Sequence, residues 1–125
     1  MIQTQVTRQG MVVGSIQLDH PPVKVVTVPG RRLDIRHIEA FRSAIEDVFV
    51  PDAQVVFDFS GVDKLEGAAI GDILEIKREL DNRNGHLKIA GLCKRIYRMF
   101  ERLRIHQVFE IYDSVDEVVQ SYGYP

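Results

Sequence analysis

Apolar positions along this chain follow two rhythms, one of period two and one of three and four, and the two alternate from end to end. Residues 54–74, QVVFDFSGVDKLEGAAIGDIL, contain both. Val55, Val56, Phe57 and Phe59 form a short β-branched and aromatic run, the pattern of a buried strand. Ile70, Ile73, Leu74 and Leu80 then recur at helical spacing, so a turn is predicted over residues 63–67. Backbone N–H groups at a helix start have no internal partner, and strand-to-helix corners of α/β domains often carry function.

The same rhythms organise the rest. Residues 11–18 and 23–28 are apolar and β-branched, and Asp19, His20, Pro21 and Pro22 between them predict a turn joining two antiparallel strands. Ile2, Thr4, Val6 and Arg8 share one side of an extended chain, so residues 1–10 read as an extra edge strand or as a loose N-terminus. Gly30 breaks the second strand, and Asp34 can cap a helix whose apolar face is Ile38, Phe41, Ile45, Val48 and Phe49. Pro51 and Asp52 end that helix. Residues 82–85 stop the central helix, with Gly85 offered for a left-handed conformation, and residues 87–90 make the next strand. In residues 94–103, Ile96, Met99, Phe100 and Leu103 share one helical face, while Lys94, Arg95, Arg98 and Arg102 form a solvated face or a docking surface. Residues 108–112 alternate as a last strand, and Ser114 with Glu117 has capping-box spacing ahead of Val115, Val118, Val119 and Tyr122. Successive strand-helix-strand units predict an α/β fold: a mixed, mostly parallel sheet with an N-terminal antiparallel strand pair, flanked by about four helices.

Composition narrows the class of molecule. A length of 125 residues suits one domain, residues 1–125, with one ordinary core. Hydrophobic residues at 45% and charged residues at 27% are the balance of a soluble globular protein. A net charge of −2 leaves no electrostatic footprint for nucleic acid or an anionic membrane surface. No apolar run reaches membrane-spanning length and no secretory signal opens the chain, so a cytoplasmic protein without membrane insertion is expected. The single Cys93 cannot form an internal disulfide.

No chemistry of catalysis or of cofactors is legible. The Gly61, Gly67 and Gly71 corner lacks the Lys-Ser/Thr pair of a phosphate-binding loop, and the dinucleotide fingerprint fails on glycine spacing. Small residues Gly67, Ala68, Ala69 and Gly71 instead let the helix, or a protein partner, approach closely. Asp58, Asp63, Glu66 and Asp72 could be drawn as a metal or acid/base cluster, but Asp63 and Glu66 have the spacing of a capping box. Asp58 is expected to bind neighbouring backbone; the acidic pair and lysine of an aspartyl-phosphate receiver are missing. His20, His37, His86 and His106 show no metal-ligand spacing, and Cys93 reads as a small packed residue. No catalytic, cofactor or metal residue is assigned.

Taken together, VVTVPGRRLD, VVFDFSGVDKLEGAAIGDIL, the helix ending at glycine, HLKIAGL and FEIYDSVDEVV resemble the STAS domain of the anti-sigma factor antagonists, the regulators of bacterial partner-switching systems. The resemblance covers residues 23–119. It implies the fold derived above and a non-enzymatic role in signal transduction and transcription regulation: binding an anti-sigma factor, a serine kinase-like protein, and thereby freeing a sigma factor. The family pattern at the corner is Asp-Ser-Ser/Thr-Gly-Leu-Gly, with the phosphorylated Ser directly after the Asp. Here Glu66, Gly67, Ala68, Ala69, Ile70 and Gly71 stand in that pattern, and both hydroxyls are gone. Gly67 takes the place of the phosphoacceptor, so the usual switch, which adds nearly two negative charges, cannot operate there. The resemblance implies partner binding through Asp63, Lys64, Glu66, Gly67, Ala68, Ala69, Gly71 and Asp72. Two alternatives accompany it: a STAS scaffold subunit of a transporter or multi-protein sensory complex, and a small-ligand or nucleotide module; phosphorylation elsewhere, for example at Ser60, is also left open. A homodimer is left open.

Overall fold

A computed structural model describes residues 2–6, 12–16, 23–28, 30–34, 36–37, 39, 42–43, 46 and 50–121, the first two segments by their backbone alone. Six strands form one sheet in the order β1 (Ile2–Val6), β2 (Val12–Ile16), β3 (Val23–Thr27), β5 (Gln54–Asp58), β7 (His86–Ala90) and β8 (Glu110–Tyr112). β1, β2 and β3 are antiparallel neighbours, and β3, β5, β7 and β8 run parallel. The mixed, mostly parallel sheet expected from the pattern is present, and Ile2–Val6 stands at its edge. The predicted turn over residues 19–22 lies outside the described residues.

Alternation fixes which side chains face which layer. Val55, Phe57, Phe59, Leu87 and Ile89 point to one side of the sheet, onto Ile70, Ile73, Ile76 and Leu80 of α1 (Gly67–Asn82) and Ile96 and Phe100 of α2 (Lys94–Arg102). Each such side chain contributes about 1.5–3 kcal/mol by leaving water. The other side is thinner. There Val23, Val25, Val56 and Ala90 meet Val118 of α3 (Val115–Ser121). Lys88 also faces this side and is buried, donating from Nζ to Ser121 Oγ at 2.9 Å, 3.6 Å from the Glu110 carboxylate and above the Tyr112 ring. A buried ammonium requires such partners, and these tie α3 to the sheet.

Three helices have defined bounds among the described residues, where about four were expected. Arg36, His37, Glu39, Arg42 and Ser43 are helical, and Asp34 caps them by accepting the Arg36 N–H at 3.0 Å. The predicted apolar face of that helix, Ile38, Phe41, Ile45, Val48 and Phe49, lies outside the described residues.

Two expectations are corrected. The left-handed residue after α1 is Asn84, with φ of 60°, while Gly85 keeps an ordinary φ. The Gly85 N–H bonds the Leu80 carbonyl at 2.7 Å and the Asn84 N–H bonds Asp81 at 3.1 Å, the paired closure of a Schellman end. Gly85 is needed for closeness instead: a Cβ there would sit 2.8 Å from the Ala53 carbonyl oxygen. Leu103, placed on the apolar face of the second amphipathic helix, is 53% exposed, because α2 ends at Arg102 and Leu103 is already its C-cap.

Candidate functional site

The corner ahead of α1 is not a plain turn. Lys64–Leu65 form a two-residue strand, β6, paired in parallel with β4 (Arg32–Leu33) in register Arg32 to Lys64 and Leu33 to Leu65. Leu33 and Leu65 are buried in the main core and anchor this small ledge. Lys64 N–H bonds the Arg31 carbonyl at 3.1 Å, and Glu66 N–H bonds the Leu33 carbonyl at 3.1 Å. The chain therefore enters α1 from an extended, fixed direction, with Glu66 as N-cap at φ −80° and ψ 150°.

That geometry overturns the capping box expected of Asp63 and Glu66. The N-cap is Glu66 itself, and its side chain makes no capping hydrogen bond. Asp63 stands on the far side of the two-residue strand, too early to reach the first turn. It instead accepts from Arg31, from Nε at 2.9 Å and Nη2 at 2.6 Å. Asp58 behaves as expected, with its Oδ1 accepting the Ser60 N–H at 3.0 Å.

The residues named at the corner divide by exposure. Glu66, Gly67, Ala68, Gly71 and Lys64 are exposed, Asp63 and Asp72 are half-buried, and Ala69 is fully buried in the main core. Ala69 therefore leaves the candidate surface: its position one residue past Ala68 turns it toward the sheet. Asp72 is held by Arg42, whose Nη1 lies 3.3 Å from Oδ1, and the same guanidinium reaches Glu75 at 3.5 Å and Glu79 at 3.4 Å. Arg31 and Arg42 escaped sequence reasoning, since their partners lie 32 and 30 positions away and no periodicity links them.

Gly67 and Gly71 are the unusual members. Neither has a positive φ, and a Cβ added to either would meet nothing within 4 Å. The interior does not require glycine at either position, although glycine in a helix costs about 0.5–1 kcal/mol relative to alanine.

Other candidates fall elsewhere. His37 Nδ1 lies 2.7 Å from Asp34 Oδ1, His86 is exposed, His106 packs edge-on to Tyr97, and His20 is outside the described residues. Burial works to raise the Asp34 pKa, but the His37 hydrogen bond and charge, the Arg36 N–H and the Arg36 charge outweigh it and hold the carboxyl below its ordinary value. Cys93 is the N-cap of α2 and packs, partly buried, against the core. Among the described residues no three of His, Cys, Asp and Glu converge as metal ligands. No helix among them is long and apolar enough to cross a membrane.

Residues 17–118 match the family model of the STAS domain, and the chain belongs to that family. No curated protein matches it in sequence. Among solved structures it is similar to an anti-sigma factor antagonist from Mycobacterium paratuberculosis, at 18% identity and TM-score 0.72 over 94% of this chain and 97% of that one. An anti-sigma-factor antagonist (STAS) domain protein from Planctomyces limnophilus gives 15% identity and TM-score 0.72 over 96% and 95%. A sulfate transporter family protein from Wolinella succinogenes gives 14% identity and TM-score 0.63 over 75% and 79%. At these identities the likeness is one of fold.

Proposed function

We propose that this chain is a non-enzymatic regulatory binding domain of the anti-sigma factor antagonist type, acting in the bacterial cytoplasm. It docks a protein partner, an anti-sigma factor of the serine kinase-like kind, on the surface made by Lys64, Glu66, Gly67, Ala68 and Gly71, with Asp63 and Asp72 at its margins. Phosphorylation at the usual place does not end the interaction, because Gly67 has no hydroxyl. The observation that carries this reading is the pair Gly67 and Gly71, exposed, in ordinary backbone conformation and with open space before them. Glycine held at a helix start against its own propensity suits close approach by something outside the molecule. The likeness to anti-sigma factor antagonists supports the partner class.

A second reading, a scaffold subunit of a transporter or sensory assembly, is favoured by the likeness to the Wolinella succinogenes sulfate transporter family protein. Both readings use the corner. Affinity capture with the parent chain and with Ala68→Leu, followed by mass spectrometry, separates them. A kinase-like anti-sigma factor recovered by the parent and lost with the variant is the expected result. Transport subunits would decide for the second reading, and a partner kept equally by both chains would move the interface away from the corner. With ATP and the recovered kinase, no phosphopeptide spanning residues 66–71 is expected; phosphate on Ser60 would place the switch there instead.

A further inference from the structure

The ledge beneath the corner carries an electrostatic conflict that the fold does not need. Because Leu33 and Leu65 point into the core at 1% and 6% exposure, alternation sends their strand neighbours Arg32 and Lys64 outward together. Register partners on one face stand within about 5 Å at Cβ, and like charges so placed oppose strand pairing. Asp63, next to Lys64 in sequence, is paired with a different cation, its Oδ2 accepting from Arg31 Nε and Nη2. Among the described residues no carboxylate lies within ion-pair distance of Arg32 or Lys64. The backbone bonds that hold the ledge would form with other side chains at both positions. Arg31, Arg32, Asp63 and Lys64 line a depression of about 340 Å³ beside the exposed start of α1.

We propose that this depression receives the carboxylates of an acidic segment of a protein partner, with Arg32 as the fork and Lys64 as the point charge. The proposal rests on the reading of the neighbouring corner as a partner surface, and it adds the chemistry of what docks there. A planar guanidinium can take one carboxylate through two parallel hydrogen bonds, and an ammonium beside it strengthens the field without fixing geometry. The positive ground is small. Along α1 the positive ground is interrupted by Asp72, Glu75 and Glu79, which gather on Arg42 with Arg78 beside the last two, so no unbroken basic stripe is offered to a long polyanion such as nucleic acid or to an anionic membrane. A compact acidic segment fits the reach of the ledge.

Titration of the isotope-labelled chain with a hexaglutamate peptide tests this by amide NMR. Saturable shifts confined to residues 31–33 and 63–65, weakening as salt is added, are expected. An Arg32→Gln, Lys64→Gln double variant should bind the peptide at least tenfold more weakly while unfolding at an equal or higher denaturant concentration. Ala68→Leu, which roughens the corner and spares the ledge, should bind hexaglutamate as the parent does, so failure of the corner reading leaves this result intact. The proposal is overturned by equal shifts with hexaglutamine, by peptide binding that survives in the double variant, by loss of stability in that variant, or by phosphatidylserine vesicles shifting the same amides more strongly than the peptide.

Discussion

The corner after β7 and the corner ahead of α1 both deliver the chain from strand into helix, yet their glycines stand in opposite surroundings. Gly91, between β7 and α2, has φ of +77°, and a Cβ there would lie 3.0 Å from the backbone and side chain of Ser60. The interior selects glycine at that point on two counts. Gly67 and Gly71 have neither a positive φ nor a neighbour within 4 Å. By propensity alone alanine would serve the helix better at both. The difference separates glycine that the fold requires from glycine that it merely carries, and it directs attention outward from the second kind.

The largest expected effect contrasts two adjacent residues of the first corner. Ala69→Glu places a carboxylate among Ile, Phe and Leu side chains with no partner and should cost about 3 kcal/mol or more, enough to unfold much of the population. Ala68→Glu, one position along and exposed, should stay within about 0.5 kcal/mol of the parent. Urea unfolding followed by circular dichroism measures both, and equal losses would mean that the inner and outer sides of α1 have been misassigned.

Next come the required glycines. Gly91→Ala forces a left-handed residue against Ser60, and Gly85→Ala drives a Cβ into the Ala53 carbonyl, so each should lose about 1–3 kcal/mol in the same assay. A neutral result at position 91 would remove the contrast between the corners.

How far these features could be read from sequence depends on their physical range. Repeated burial produces a period, so β5, β7, α1 and α2 are visible in the spacing of Val55, Phe57, Ile70, Ile73, Leu80, Ile96 and Phe100 and in the run over residues 87–90. The capping box of α3 was visible for a similar reason, being local: Ser114 Oγ accepts the Glu117 N–H at 3.2 Å, and the Glu117 carboxylate accepts the Asp113 N–H at 3.2 Å. β4 and β6 were not visible, because two residues cannot display a period and their pairing spans about thirty positions. Asp63 and Glu66 have the separation of a capping box, but that spacing means a cap only where no strand intervenes, and β6 lies between them. Ala69 reads as surface in the sequence because a run of small residues does not reveal which member faces inward. The strand-to-helix corner was legible as a place; which of its side chains point outward was not.

A smaller expected effect concerns the support behind the ledge. Asp34 directly follows β4 and holds the next helical turn through Arg36 and His37. Its folded carboxyl titrates below the ordinary 3.8, so its stabilising contribution is present above that pH and is lost as the pH falls through the lower folded value. Asp34→Asn should therefore be less stable than the parent near neutral pH, with the gap closing in acid. A gap that stays constant from about pH 7 to about pH 2 would show that this carboxylate does not act through its charge.

The most direct test of the central claim is the unfolding free energy of the Gly67→Ala, Gly71→Ala double variant. If these glycines are kept for a surface and not for the fold, the variant should gain about 1 kcal/mol, with an unchanged denaturant slope. A loss of stability would contradict the account, because the fold itself would then need glycine at the corner.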